Sequence, residues 1–89
     1  MHKIDKWEGQ TQNPPHGFDV EFYKDITAGN FVAKIKIWSQ MWREYSNTMQ
    51  EHYEELRDDD LNQLCERTKQ QIVNRGGRIL TPLPPIVCL

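Results

Sequence analysis

Residues able to do chemistry are present in this sequence, but they never gather. His2, His16, His52, Cys65 and Cys88 are scattered, and no two stand at a spacing that holds a metal between them. His52 and Glu55 would share one face of a helix, and the simpler reading of that pair is a histidine at the edge of an amphipathic stripe. Nucleophilic catalysis needs a nucleophile, a base and a group that orients the base. Cys65 falls on an apolar stripe, where burial raises a thiol's pKa and quiets it. Ser39 and Ser46 carry no strained-turn signature. The carboxylates Glu51, Glu54, Glu55, Asp58, Asp59 and Asp60 crowd together with no apolar pocket to split them into an acid and a base. Gly76-Gly77 closes a helical pattern instead of opening one, so it is no phosphate loop. This distribution predicts no catalytic residue, no metal site and no cofactor.

What the chain has in surplus is side chains that bind. It carries three Trp and three Tyr in 89 residues. Trp38, Trp42, Tyr45 and Met49 belong to the types enriched at protein interfaces. In the last eleven residues, Leu80, Leu83 and Ile86 stand among six aliphatic side chains stiffened by Pro82, Pro84 and Pro85. Pro82-Leu83-Pro84-Pro85 resembles a polyproline-type ligand core. These seven residues are the expected contacts of a non-enzymatic factor that binds a larger protein as an inhibitor or adaptor, with a homo-oligomer as a further expectation. Small motif-free chains of this kind are common among viral and phage accessory proteins, which is association and not physics. Two other readings come from charge. Lys34, Lys36 and Arg43 lie near Tyr23, Trp38 and Trp42, the ingredients of a nucleic-acid surface, although three cations neutralise few phosphates. Residues 51–60 set six carboxylates against the single Arg57, which suggests a mimic of nucleic acid.

The size of the chain bounds these readings. With 89 residues and a net charge of −2 there is room for one domain. Such a domain buries only about 60–65% of its unfolded surface and is marginally stable. Two cysteines and a polar start with no leader-like apolar run point to a reduced, cytoplasmic setting. No stretch approaches the roughly 18 apolar residues that cross a bilayer, so no membrane association is expected.

The elements that would position these residues follow from periodicity. Residues 1–17 read as an extended arm, with Asn13-Pro14-Pro15 held out of the helical region and Trp7 alone. Residues 18–38 alternate as a β-hairpin, Phe18, Val20 and Phe22 against Ala33, Ile35 and Ile37. A turn centred on Ala28-Gly29 would face Val20 with Ile37, Glu21 with Lys36, Phe22 with Ile35 and Tyr23 with Lys34. From Ser39 to Arg57 the stripe Trp38, Met41, Trp42, Tyr45, Met49, His52, Tyr53 and Leu56 predicts a first helix. Residues 60–75 predict a second, capped by Asp60, buried through Leu61, Leu64, Cys65, Thr68 and Ile72, and ended by Gly76-Gly77. Residues 76–89 form an apolar tail. The predicted fold class is α+β: a hairpin, an antiparallel pair of helices and a tail packed outside. The alternative is an all-α helical hairpin, because Phe31, Ile35, Trp38, Trp42, Tyr45 and Met49 also keep a helical spacing of three and four.

Overall fold

Phe18, Val20 and Phe22 do face Ala33, Ile35 and Ile37, as alternation requires, but two further strands extend the pair into a sheet. The computed structural model describes the backbone of residues 1–12, 16–43 and 46–86, and the side chains of these except 16, 39–43 and 46–50. Four strands follow one another: β1 (His2–Thr11), β2 (His16–Asp25), β3 (Asn30–Arg43) and β4 (Ser46–Asp58). They pair antiparallel in the order β1-β2-β3-β4, a simple meander. One helix, α1 (Leu61–Gly76), then folds back over one face.

The central hairpin keeps the expected faces in a register two residues away from the one predicted. Val20 pairs with Ile35, Glu21 with Lys34, Phe22 with Ala33 and Tyr23 with Val32. The loop is the cause. Asp25 closes the ladder with Asn30, and its Oδ1 accepts the Ala28 N–H at 3.1 Å. Gly29 N–H donates to the Asp25 carbonyl at 2.8 Å, and Gly29 takes φ 73°, a value that glycine adopts without steric cost. A shift of two preserves which side chains face the core, because side-chain period in a strand is two.

Two expectations change. The extended arm expected over residues 1–17 is, where the structure describes it, part of the sheet: His2–Thr11 is an edge strand, with a bulge between Lys3 and Asp5. Residues 39–57 are not a helix. β3 runs straight through Ser39 to Arg43, and β4 returns beside it from Arg43↔Ser46 to Phe31↔Asp58. The antiparallel helix pair and the all-α alternative therefore both fall. The helical stripe misled because a 3–4 spacing and a period-two pattern share members over short spans. Pairing with the apolar β3 decides the outcome, since β propensity reflects the surface a strand finds to pack on.

α1 matches its expected span. Asp60 caps it, with Oδ1 accepting Asn62 N–H at 2.8 Å and Gln63 N–H at 3.4 Å. Gly77, at φ 74°, ends it by donating to the Val73 carbonyl. Leu64, Thr68 and Ile72 are wholly buried against the sheet, with Leu61 and Cys65 packed at the margin. Thr68 is satisfied by donating to the Leu64 carbonyl at 2.7 Å. An Asp60→Ala chain, losing a cap that holds two N–H groups, is expected to be less stable by about 1 kcal/mol; the urea midpoint measures it.

The core is the sheet face under α1: Trp7, Phe18, Val20, Phe22, Ala33, Ile35 and Ile37 against Leu64, Ile72 and Ile86. The tail reaches it along the outer edge of β1. Leu80 N–H donates to the Gln10 carbonyl at 2.9 Å, and Gln12 N–H to the Arg78 carbonyl at 2.7 Å. Thr81 Oγ1 accepts Gln10 N–H at 3.0 Å. At Gln10 and Gln12 the tail thus fills the last part of the hydrogen-bonding edge that an outer strand leaves open. The edge of β4 has no such cover among the described residues.

Candidate functional site

The face of the sheet away from α1 has no layer over it among the described residues, and its side chains fall into four cross-strand rows. Lys6, Glu21, Lys34 and Glu55 stand abreast on β1 to β4. Beside them run Glu8, Asp19, Lys36 and Tyr53. The flanking rows are Gln10, Gly17, Trp38 and Glu51 on one side, and Lys3, Tyr23, Val32 and Arg57 on the other. The first two rows, with Tyr23 beside them, floor a trough of about 740 Å³. Five cations and five carboxylates share this face, so it is charged everywhere and carries no net charge.

Pairing within the chain fixes most of these groups. Tyr23 donates its hydroxyl to Glu21, and Lys3 approaches the same carboxylate at 3.4 Å. The unit recurs on β4, where the Tyr53 hydroxyl donates to Glu51 at 2.6 Å and Lys36 lies 3.4 Å away. Both are (i, i−2) contacts, which strand geometry allows because alternate residues share a face. The Tyr23 hydroxyl holds Glu21 below the usual carboxylate range with Lys3 assisting, and Glu51 is lowered in the same way by Tyr53 and then Lys36. The two tyrosines are raised in return, each by the carboxylate that accepts its proton. Lys36 is raised by Glu51, and Lys6 by Glu8. At the loop end, Asp25 is lowered by the Ala28 N–H and by Arg57, 3.1 Å away. Asp58 is lowered by the Asp60 N–H and by Arg67.

Acid and alkali should therefore both loosen the fold. Lowered carboxylates stabilise the folded chain above their unfolded pKa values of 4.5 and 3.8, and that contribution disappears as pH falls through them. Raised tyrosines and lysines contribute below about pH 10, and lose it as pH climbs. Urea midpoints are expected to be level from pH 6 to 8, to fall below pH 4.5 and to fall above pH 10. A midpoint that stayed level down to pH 3 would contradict the sign.

Asp19 and Lys34 differ from the rest. Neither has an oppositely charged partner within 4 Å among the described residues; the Lys34 ammonium lies over the Tyr23 ring, 5.1 Å from its centroid. The Trp38 indole packs against Gly17, where any Cβ would overlap it. Tyr53 is 65% exposed although its ring is large.

No family model, no curated protein and no solved structure matches this chain.

The expected contact residues separate into three groups. Trp38, Lys34 and Lys36 meet on the helix-free face. Leu80, Leu83 and Ile86 do not; they belong to the strap beside β1, with Leu80 exposed, Leu83 packed on the core and Ile86 buried. Arg43, Trp42 and Met49 lie in β3 and β4 with side chains outside the described set, and Tyr45 lies outside the described residues. The sequence reading missed Tyr53, Glu51 and Glu55 as members of this face, because a helix over 39–57 takes all three out of the sheet and turns Tyr53 away from the two glutamates. It did signal Asp19, Glu21 and Tyr23, whose alternation against Lys34 and Lys36 already set acid against base.

The acidic run is also dispersed. Glu51 and Glu55 point to the helix-free face, while Glu54 and Asp58 point to the other. Glu54 Oε1 lies 3.4 Å from Arg75 and 3.5 Å from His52 Nε2. His52 thus meets Glu54, not Glu55. Asp58 pairs with Arg67 at 3.1 Å, and Asp60 caps α1. Among the described residues no three His, Cys, Asp or Glu side chains gather as metal ligands. No helix is long and apolar enough to cross a membrane.

Proposed function

We propose that this chain is a non-enzymatic protein-binding factor, an adaptor or inhibitor, and that the helix-free sheet face is a protein contact. One observation carries the reading: five cations and five carboxylates share that face in equal number, with Tyr23, Trp38 and Tyr53 set among them. A polyphosphate is held by an excess of cations. A face of balanced charge offers it little, while a protein surface with its own mixed charges can match the pattern and gain specificity from it. Tyrosine and tryptophan supply the contact area that carries most binding energy at such surfaces. Beyond the last β2 pair, His16↔Ser39, β3 and β4 continue as a two-stranded ribbon through four more pairs. A bare ribbon is marginal alone, and the sequence gives it Met41, Trp42 and Met49. That makes it the natural second contact, the one offered to the larger protein. We place the factor in the cytoplasm, where the half-buried Cys65 stays a reduced thiol.

Paired captures from a lysate of the source cells test this. A protein held by the native chain and released by both Trp38→Ala and Tyr53→Ala, each shown folded by circular dichroism, supports the reading. Retention on single-stranded DNA that falls steeply with salt would replace it with the nucleic-acid reading through Lys34, Lys36 and Arg43.

A further inference from the structure

The charge pattern of the helix-free face is complementary to itself. A two-fold axis lying in the plane of that face, parallel to the strands and between β2 and β3, places β1 over the partner's β4 and β2 over the partner's β3. Under that rotation Lys6 falls opposite Glu55, and Glu21 opposite Lys34, each twice. In the neighbouring row Asp19 falls opposite Lys36, and Glu8 opposite the uncharged Tyr53. Both central rows match with no like-charged correspondence. Asp19 and Lys34, the charges without an ion-pair partner within 4 Å among the described residues of their own chain, both acquire one.

We infer that the occupant of this face is a second copy of the chain, docked face to face across that two-fold axis. The inference rests on reading the face as a protein contact. Stacked sheets lie about 10 Å apart, which leaves space for one layer of interdigitating side chains from each. The β2 and β3 pairs lie nearest the axis at the centre of the contact, and the β1 and β4 pairs lie at its edges. The single like-charged correspondence, Lys3 opposite Arg57, falls at a corner, where solvent screens it. Four strands about 4.8 Å apart and seven residues at about 3.3 Å each give a footprint of roughly 450 Å² per copy. Twice that is at the low end for specific interfaces, so the dimer is a reversible one. The rotation preserves strand direction. Both β3–β4 ribbons therefore project from the same end of the dimer, as two prongs offered to one larger partner.

The test uses two single charge reversals of the full chain, Glu21→Lys and Lys34→Glu, with molar mass followed by sedimentation across concentration. The native chain is expected to dimerise. Each variant alone sets like charges against each other twice and is expected to weaken its dimer on the order of a hundredfold. Mixed together they restore both pairs across the interface, and a heterodimer is expected at close to native affinity. Rescue by mixing cannot come from contacts within one chain. Asp19→Lys with Lys36→Asp repeats the test should either first variant lose its far-ultraviolet spectrum. A native chain that stays monomeric to millimolar concentration overturns the dimer. So does a dimer indifferent to the single reversals, or a mixture that fails to associate. The lysate captures answer separately for the protein-binding reading.

Discussion

Ending the chain at Gly77 is expected to lower its stability by about 4 kcal/mol, even though this removes no strand and no helix. Ile86 is 7% exposed and belongs to the core, and Ile79 and Leu83 pack at its margin. The same cut releases the Gln10 and Gln12 edge of β1 and bares the Trp7 ring. A domain of 89 residues is stable by only about 4–13 kcal/mol in total. The truncated chain should therefore be partly unfolded at 37 °C, with its melting midpoint lower by roughly 20 °C or more. Calorimetry and urea unfolding of the two chains decide it. A loss under about 1 kcal/mol would mean that residues 78–86 are an appendage, and would favour Leu80, Leu83 and Ile86 as partner contacts.

The parts of this fold that could be read from sequence are those with local causes. Asp60, Gln63 and the Gly76-Gly77 stop define α1 through its own backbone groups. Phe18-Val20-Phe22 and Ala33-Ile35-Ile37 carry alternation strong enough to survive a register error of two. The remaining strands depend on neighbours far along the chain. β1 shows the core Trp7, Gly9 and Thr11, and Ile4 packs at its margin across a bulge that breaks the alternation, so no period is visible until β2 stands beside it. β4 is polar on both faces, with Glu51, Tyr53, Glu55 and Arg57 on one and His52, Glu54, Leu56 and Asp58 on the other. Among residues 51–58 only Leu56 is an aliphatic side chain that could pack on a core. It is held by thirteen pairs to β3 and by ion pairs to Arg67 and Arg75. The candidate site shares that fate: its β2 and β3 half was legible as acid against base, and its β4 half appeared only with the pairing.

Trp7 is where the strap, the edge strand and the core meet, and its replacement gives the second large effect. Its ring is 2% exposed and meets Phe22 edge-on, with centroids 4.7 Å apart and planes at 76°. Its Nε1–H donates to the Pro84 carbonyl at 3.0 Å, and the Lys69 ammonium lies 5.8 Å from its ring centroid. Trp7→Ala removes all three contacts and is expected to destabilise by about 4 kcal/mol. Trp7→Phe keeps most of the packing and loses the donor, so about 1–2 kcal/mol is expected. The informative measurement is Trp7→Ala made in the chain that ends at Gly77. There the Pro84 carbonyl is already gone and the ring is already bared on one side, so the substitution should cost less than in the full chain, by about 1–2 kcal/mol. Equal costs in both backgrounds would show that the tail and Trp7 stabilise the sheet independently, and that the strap closes the edge of β1 by backbone pairing alone.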